Sequence, residues 1–124
     1  MPAKIQQVLL VDDDPCCCQL MERTVRSCGY YRVQALRNGA DCLARIPNEP
    51  TLILLDYPVS NVVRPNMLRA IKCISPTSYI VLLGSEPEVQ IAVDALHGGA
   101  FDYVVKDERL DKYLVALLAG FEQG

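Results

Sequence analysis

Four residues have the types needed for charge-driven chemistry: Asp12, Asp13, Asp56 and Lys106. Asp12 and Asp13 close the apolar run VLLV, Asp56 closes TLILL, and Lys106 follows FDYVV. One acid after an apolar run is ordinary, because it serves equally as a helix cap or a solvated turn. Four charged residues at the ends of three such runs form a pattern. If the runs are parallel strands of one sheet, the four side chains meet around one opening. Two carboxylates about 5 Å apart repel by roughly 3 kcal/mol at an effective dielectric of about 20. Such a site takes up a proton, is neutralised by Lys106, or binds a cation. Hard oxygen ligands in an open, watery site suit Mg²⁺, which keeps several waters and uses few protein carboxylates. A divalent cation and a lysine also suit phosphoryl transfer, whose charge gathers on the equatorial oxygens. Asp56 stands alone after its run and is the expected nucleophile, while Asp12 and Asp13 form a pair suited to holding metal.

The elements that position these residues can be read along the chain. Ile5 to Val11, Tyr31 to Leu36, Thr51 to Leu55, Tyr79 to Leu83 and Phe101 to Val105 read as strands. The continuous apolar stretch Val8 to Val11 of the first suits a strand buried on both faces. Helices alternate with them. Asp14–Pro15 reads as an N-cap with proline at the first helical position, and Gly29 ends that helix. Leu20, Met21, Thr24, Val25 and Cys28 repeat along it at helical spacing. Asn38 and Gly39 open a short helix through Ile46. Pro65 starts one with Met67, Leu68, Ile71 and Ile74. Pro87 starts another, with Val89, Ala92, Val93 and Leu96 expected inward. Leu110 to Phe121 is the last. Five β–α units imply a parallel sheet covered by helices on both faces, with chemistry at the carboxyl ends of the strands.

The bulk properties narrow the classes. The 124 residues fit one domain, 1–124, and 51% of them are hydrophobic, which argues against disorder. Twelve Lys and Arg against 15 Asp and Glu give a net charge of −3, no footprint for direct nucleic-acid binding. No apolar run approaches the about 20 residues that cross a bilayer, and MPAKIQQ lacks the regions of a signal peptide, so a cytoplasmic protein without membrane association is expected. Six cysteines, three of them consecutive at Cys16, Cys17 and Cys18, include no CxxC pair. They are expected as reduced thiols acting as small hydrophobes, not as a zinc site.

VLLVDDDP, LILLD and GAFDYVVK, in this order and spacing, resemble the receiver domain of response regulators, over nearly the whole chain. The resemblance implies a CheY-like, flavodoxin-like (βα)5 three-layer sandwich with a five-stranded parallel sheet in the order 2-1-3-4-5. It implies Mg²⁺ at Asp12, Asp13, Asp56 and the backbone carbonyl of Pro58. Asp56 matches the phosphoacceptor and Lys106 the lysine that contacts the phosphoryl group. Tyr103 matches an aromatic whose rotamer reports activation, with packing on the last helix as the plain structural alternative.

Some positions depart from the family pattern. Gly84 falls where the family carries the Thr or Ser that bonds a phosphoryl oxygen, with Ser85 next. Three readings stand at this point: the Gly84 N–H donates instead, Ser85 swings in, or glycine serves a turn. Lys106 is followed by Asp107, not proline. A non-proline cis bond costs about 2.5–4 kcal/mol, so a trans peptide, a different loop and an N-capping Asp107 are expected. The loop after Asp56 carries Ser60 and Arg64 where the family has Pro and Gly. His97 is expected to be solvent-exposed near a helix C-terminus.

The expected function is a phosphorelay receiver: a signalling module, not a turnover enzyme, although it can catalyse its own phosphorylation and dephosphorylation. The implied partners are a sensor histidine kinase or phosphotransfer protein, a C-terminal effector domain with transcription regulation as one output, and a second copy of the chain. The alternative is a pseudo-receiver acting as a phosphorylation-independent interaction module. A small aspartyl phosphatase is disfavoured, because Pro58 stands where its second carboxylate belongs.

Overall fold

Three uninterrupted apolar runs, Val8 to Val11, Leu52 to Leu55 and Ile80 to Leu83, set the centre of the molecule. A computed structural model describes residues 5–47, 49–56, 64–85 and 89–122, with the backbone path alone at 64–66, 91 and 122. The strands are β1 (Gln7–Val11), β2 (Val33–Leu36), β3 (Thr51–Asp56), β4 (Tyr79–Gly84) and β5 (Asp102–Val105). The helices are α1 (Pro15–Ser27), α2 (Gly39–Arg45), α3 (Arg64–Ile74), α4 (Val89–His97) and α5 (Leu110–Glu122). All strand neighbours pair in parallel, in the order β2-β1-β3-β4-β5. This is the expected flavodoxin-like arrangement.

Alternation along the three central strands divides the core into two layers. Leu9, Val11, Ile53, Leu55, Ile80 and Leu82 face α2, α3 and α4, meeting Cys42, Met67, Leu68, Ile71 and Ala95. Val8, Leu10, Leu52, Leu54, Val81 and Leu83 face α1 and α5, meeting Cys18, Met21 and Val25 on one and Leu110, Leu114, Leu118 and Phe121 on the other. Each large side chain buried this way stabilises the fold by roughly 1.5–3 kcal/mol relative to exposure. Asp14 caps α1 as expected: its side chain accepts the Cys16 N–H at 3.0 Å, with Pro15 opening the helix. Gly29, at φ 94°, closes the turn after α1.

Several apolar helix residues face outward. Val89, Val93 and Leu96 of α4 are exposed, and the buried contact comes from Ala95. Leu20 of α1 is 60% exposed, and Ile74 at the end of α3 is also exposed. An apolar stripe of helical period gives a helix and a face, but it does not say which way the face turns. At the sheet margin β2 starts at Val33, two residues later than the pattern suggests, and β5 starts at Asp102, with Phe101 before it. Both are edge strands, where only one neighbour holds the backbone in line.

Candidate functional site

Each charged residue of the pattern stands at the carboxyl end of a strand, with β1 and β3 buried and β5 half-buried. Asp12 follows β1, and its N–H donates to the Leu36 carbonyl at 3.0 Å, tying it to the end of β2. Only 2% of Asp12 is exposed. Its Oδ1 accepts the Asp14 N–H at 2.9 Å and its Oδ2 accepts from Lys106 Nζ at 3.2 Å. Asp13 is exposed beside it. Asp56 is the last residue of β3, in register with Leu83 of β4, and is nearly buried. Lys106 leaves β5, held by its N–H donating to the Gly84 carbonyl at 2.8 Å. Asp12, Asp13 and Asp56 each place a carboxylate oxygen within 4.8 Å of the others. The structure therefore brings together all four charged side chains singled out in the sequence.

The charges do not balance. Three carboxylates face one ammonium, and each carboxylate pair at such distances repels by roughly 3 kcal/mol at an effective dielectric of about 20. Lys106 Nζ lies 2.5 Å from Asp56 Oδ1. The approach is off the hydrogen-bonding direction, so this buried oxygen has no aligned donor among the described residues. Burial raises the Asp56 carboxyl above its usual range, with Asp12 adding to the shift and Lys106 opposing it. Burial also works against the Lys106 ammonium, but its contact with Asp56 and the charges of Asp56 and Asp12 outweigh that cost, and its pKa rises. A cleft of about 290 Å³ opens beside Asp12 and Asp13, bordered by Gln19, Glu22 and Arg37. Asp56 and Lys106 do not line this cleft, which adjoins the site on the side of Asp12 and Asp13. An under-satisfied carboxylate oxygen, surplus negative charge, hard oxygen donors and an open cleft fit a hard divalent cation such as Mg²⁺.

The departures resolve unevenly. Gly84 is buried and does not adopt a positive φ, so conformational freedom does not explain it. A Cβ built there would overlap the Tyr103 hydroxyl and lie 2.7 Å from Cζ and 3.0 Å from Cε1 of the same ring. Glycine makes room for the phenol. Tyr103 packs on the layer covered by α2, α3 and α4, which corrects the alternative reading that it packs on the last helix. The correction follows from strand alternation: Tyr103 sits beside Leu82, on the same face. Ser85 is exposed at the strand end. Asp107 accepts the Arg109 N–H at 2.9 Å and pairs with its guanidinium, capping the turn into α5. His97 is exposed at the end of α4, as expected. Pro58 and Ser60 lie outside the described residues, as does the Arg64 side chain.

Two features escaped the sequence reading. The first is the Gly84–Tyr103 fit, which joins residues 19 positions apart and leaves no local signature. The second is Cys17, whose thiol is pushed up to about 12 by burial and by the Asp12 carboxylate. A cap at Asp14 puts Cys17 in the first turn of α1, where side chains lean back toward the helix start, so this one was available. All six cysteines are free thiols. Cys18 and Cys42 are buried as small hydrophobes, whereas Cys16 and Cys73 are exposed and do not fit that expectation.

Comparison with known proteins agrees with this geometry. The family model for the response regulator receiver domain matches residues 8–118. The transcriptional regulatory protein ZraR of Klebsiella oxytoca is 31% identical over 111 residues, covering 89% of this chain and 25% of ZraR. This chain thus spans about a quarter of the length of that relative. In fold, the BeF3-activated receiver domain of DrrB superposes with a TM-score of 0.83 at 22% identity, covering 97% of this chain and 99% of that one. The beryllofluoride-activated NtrC4 receiver domain, a dimer in solution, gives 0.79 at 22% identity, covering 96% and 98%. Among the described residues no helix is long and apolar enough to cross a membrane. With its sheet order, its acids at the ends of β1 and β3 and its lysine after β5, the chain belongs to the family of receiver domains of two-component response regulators.

Proposed function

We propose that residues 1–124 act as one phosphorelay receiver in which Asp56 accepts a phosphoryl group from a sensor histidine kinase or phosphotransfer protein. The observation that carries this reading is the nearly buried Asp56 carboxylate, with an oxygen lacking an aligned donor, facing Lys106 and two further acids. An Asp56 oxygen attacks phosphorus, the O–P bond forms, the N–P bond to the donor imidazole breaks, and the imidazole takes up a proton. Lys106 Nζ neutralises charge gathering on the phosphoryl oxygens. Asp12, pinned by the Asp14 N–H and by Lys106, keeps its carboxylate turned into the site. Asp12, Asp13, Asp56 and the Pro58 carbonyl are the groups to hold Mg²⁺, which supplies counter-charge for the incoming phosphoryl group. Water later hydrolyses the acyl phosphate, so the domain catalyses its own reset.

The output is a shifted equilibrium on the face of β4, β5 and the helices after them. Its readers are an effector domain with transcription regulation as its output, as the ZraR similarity suggests, or a second copy of the chain, as the NtrC4 dimer suggests. A cytoplasmic setting suits such a relay. A second reading, a pseudo-receiver that binds partners without phosphorylation, is favoured by one observation: Gly84 carries no hydroxyl.

The test is incubation with Mg²⁺ and acetyl phosphate, followed by intact-mass measurement. A single acid-stable, base-labile phosphoryl adduct, absent with a chelator and absent in Asp56→Ala, is the expected result. An unmodified wild-type protein with no Mg²⁺ affinity contradicts this reading and leaves the pseudo-receiver.

A further inference from the structure

The end of β4 lacks a side chain, yet its place is filled. Gly84 is in register with Val105, and its carbonyl accepts the Lys106 N–H at 2.8 Å. Its neighbour Leu83 is in register with Asp56. The end of β4 therefore lies between Asp56 and Lys106. Residue 84 is the next position along β4 beyond the partner of Asp56, so it borders the space into which a group on Asp56 extends past the strand ends. A side chain at 84 would start where the Tyr103 hydroxyl now stands. A hydroxyl is thus present at this point, but it comes from β5.

We propose that the missing side chain of Gly84 and the Tyr103 phenol are one device, in which the Tyr103 hydroxyl donates a hydrogen bond to an oxygen of the phosphoryl group on Asp56. This rests on the reading of Asp56 as phosphoacceptor. The two residues depend on each other. Any Cβ at 84 overlaps the phenol oxygen, and because that atom is the far end of a rotatable side chain, the ring turns away instead of the strand shifting. Tyr103 is a positioning residue here. Its hydroxyl orients the phosphoryl group, while Asp56 and Lys106 carry the chemistry.

The experiment uses the full chain in two arms. In the first, NMR of protein labelled on its tyrosine rings reads the contact between Gly84 Hα and the Tyr103 ring. The contact is expected in the wild type and lost in Gly84→Ala, with the protein still folded. Its absence in the wild type overturns the shared device. In the second arm, Mg²⁺ with beryllofluoride serves as the phosphoryl mimic. Tyr103→Phe is expected to weaken its binding about tenfold, the effect of losing one hydrogen bond to a charged group, while the Asp56 adduct still forms with acetyl phosphate. Adding Gly84→Ser to Tyr103→Phe returns a hydroxyl to β4 and is expected to recover most of that loss. Wild-type affinity in Tyr103→Phe overturns the donor role. If the wild type takes neither beryllofluoride nor a phosphoryl group, the reading of Asp56 has failed and the donor role fails with it. The first arm still decides the Gly84–Tyr103 contact.

Discussion

The row of strand ends has two halves built on different principles. Across β1 and β3 the site is made of charge. Asp12 and Asp56 each terminate an apolar strand, so the backbone fixes where each carboxylate emerges, and Asp12 is held further by Asp14 and Lys106. Across β4 and β5 the site is made of shape. Gly84 offers only backbone, and Tyr103 from the next strand occupies the space. The charged half depends on residue type at a fixed strand position. The shaped half depends on two residues matching each other, because a side chain at 84 takes the space of the Tyr103 phenol.

That contrast makes separate predictions for the halves. The largest effect belongs to Lys106, the cation that reaches from the end of β5 into the charged half. Breaking a buried ion pair costs roughly 3–5 kcal/mol. The Lys106 side chain keeps 22% exposure, so Lys106→Met is expected to destabilise the metal-free protein at pH 8 by about 2 kcal/mol in urea unfolding. Mg²⁺ is expected to restore much of this. A variant as stable as the wild type would show that the three acids do not strain one another. Asp56→Asn works in the opposite direction. It removes a desolvated charge from beside Asp12 and is expected to stabilise the metal-free protein by about 1–2 kcal/mol.

The same carboxylate gives the charged half a pH signature. Burial raises the Asp56 pKa above 3.8, the value for the unfolded chain. Below 3.8 both states hold the proton and Asp56 costs nothing. As pH rises from there through the raised native value, the unfolded chain ionises first, so this residue's contribution to stability declines. Stability measured against pH is therefore expected to show a falling component in the wild type that Asp56→Asn lacks. Identical slopes would contradict the buried, repelled carboxylate. The smallest effect marks the boundary between the halves: Gly84→Ala is expected to change Mg²⁺ affinity by less than about twofold in calorimetric titration. A larger loss would mean that the halves are not separable.

The same division explains what was legible in the sequence. The strands of the centre could be read because burial on both faces demands unbroken apolar runs, and the charged residues stand where those runs stop. The cap at Asp14 and Pro15 was legible because its chemistry is local. The outward turn of Val89, Val93 and Leu96 was not, because the inward and outward faces of a helix share one period. The fit of Tyr103 over Gly84 was not, because it is made between adjacent strands. Glycine at 84 read as a loss or as a turn until the neighbouring ring was in place.

The central claim is that Asp56, and not Asp12 or Asp13, takes the phosphoryl group. An acyl phosphate is reduced by borohydride to the alcohol, so an aspartyl phosphate becomes homoserine and its position can be read by tandem mass spectrometry. After treatment with acetyl phosphate and Mg²⁺, homoserine at position 56 alone is predicted. Homoserine at 12 or 13, or none at all, would contradict the account.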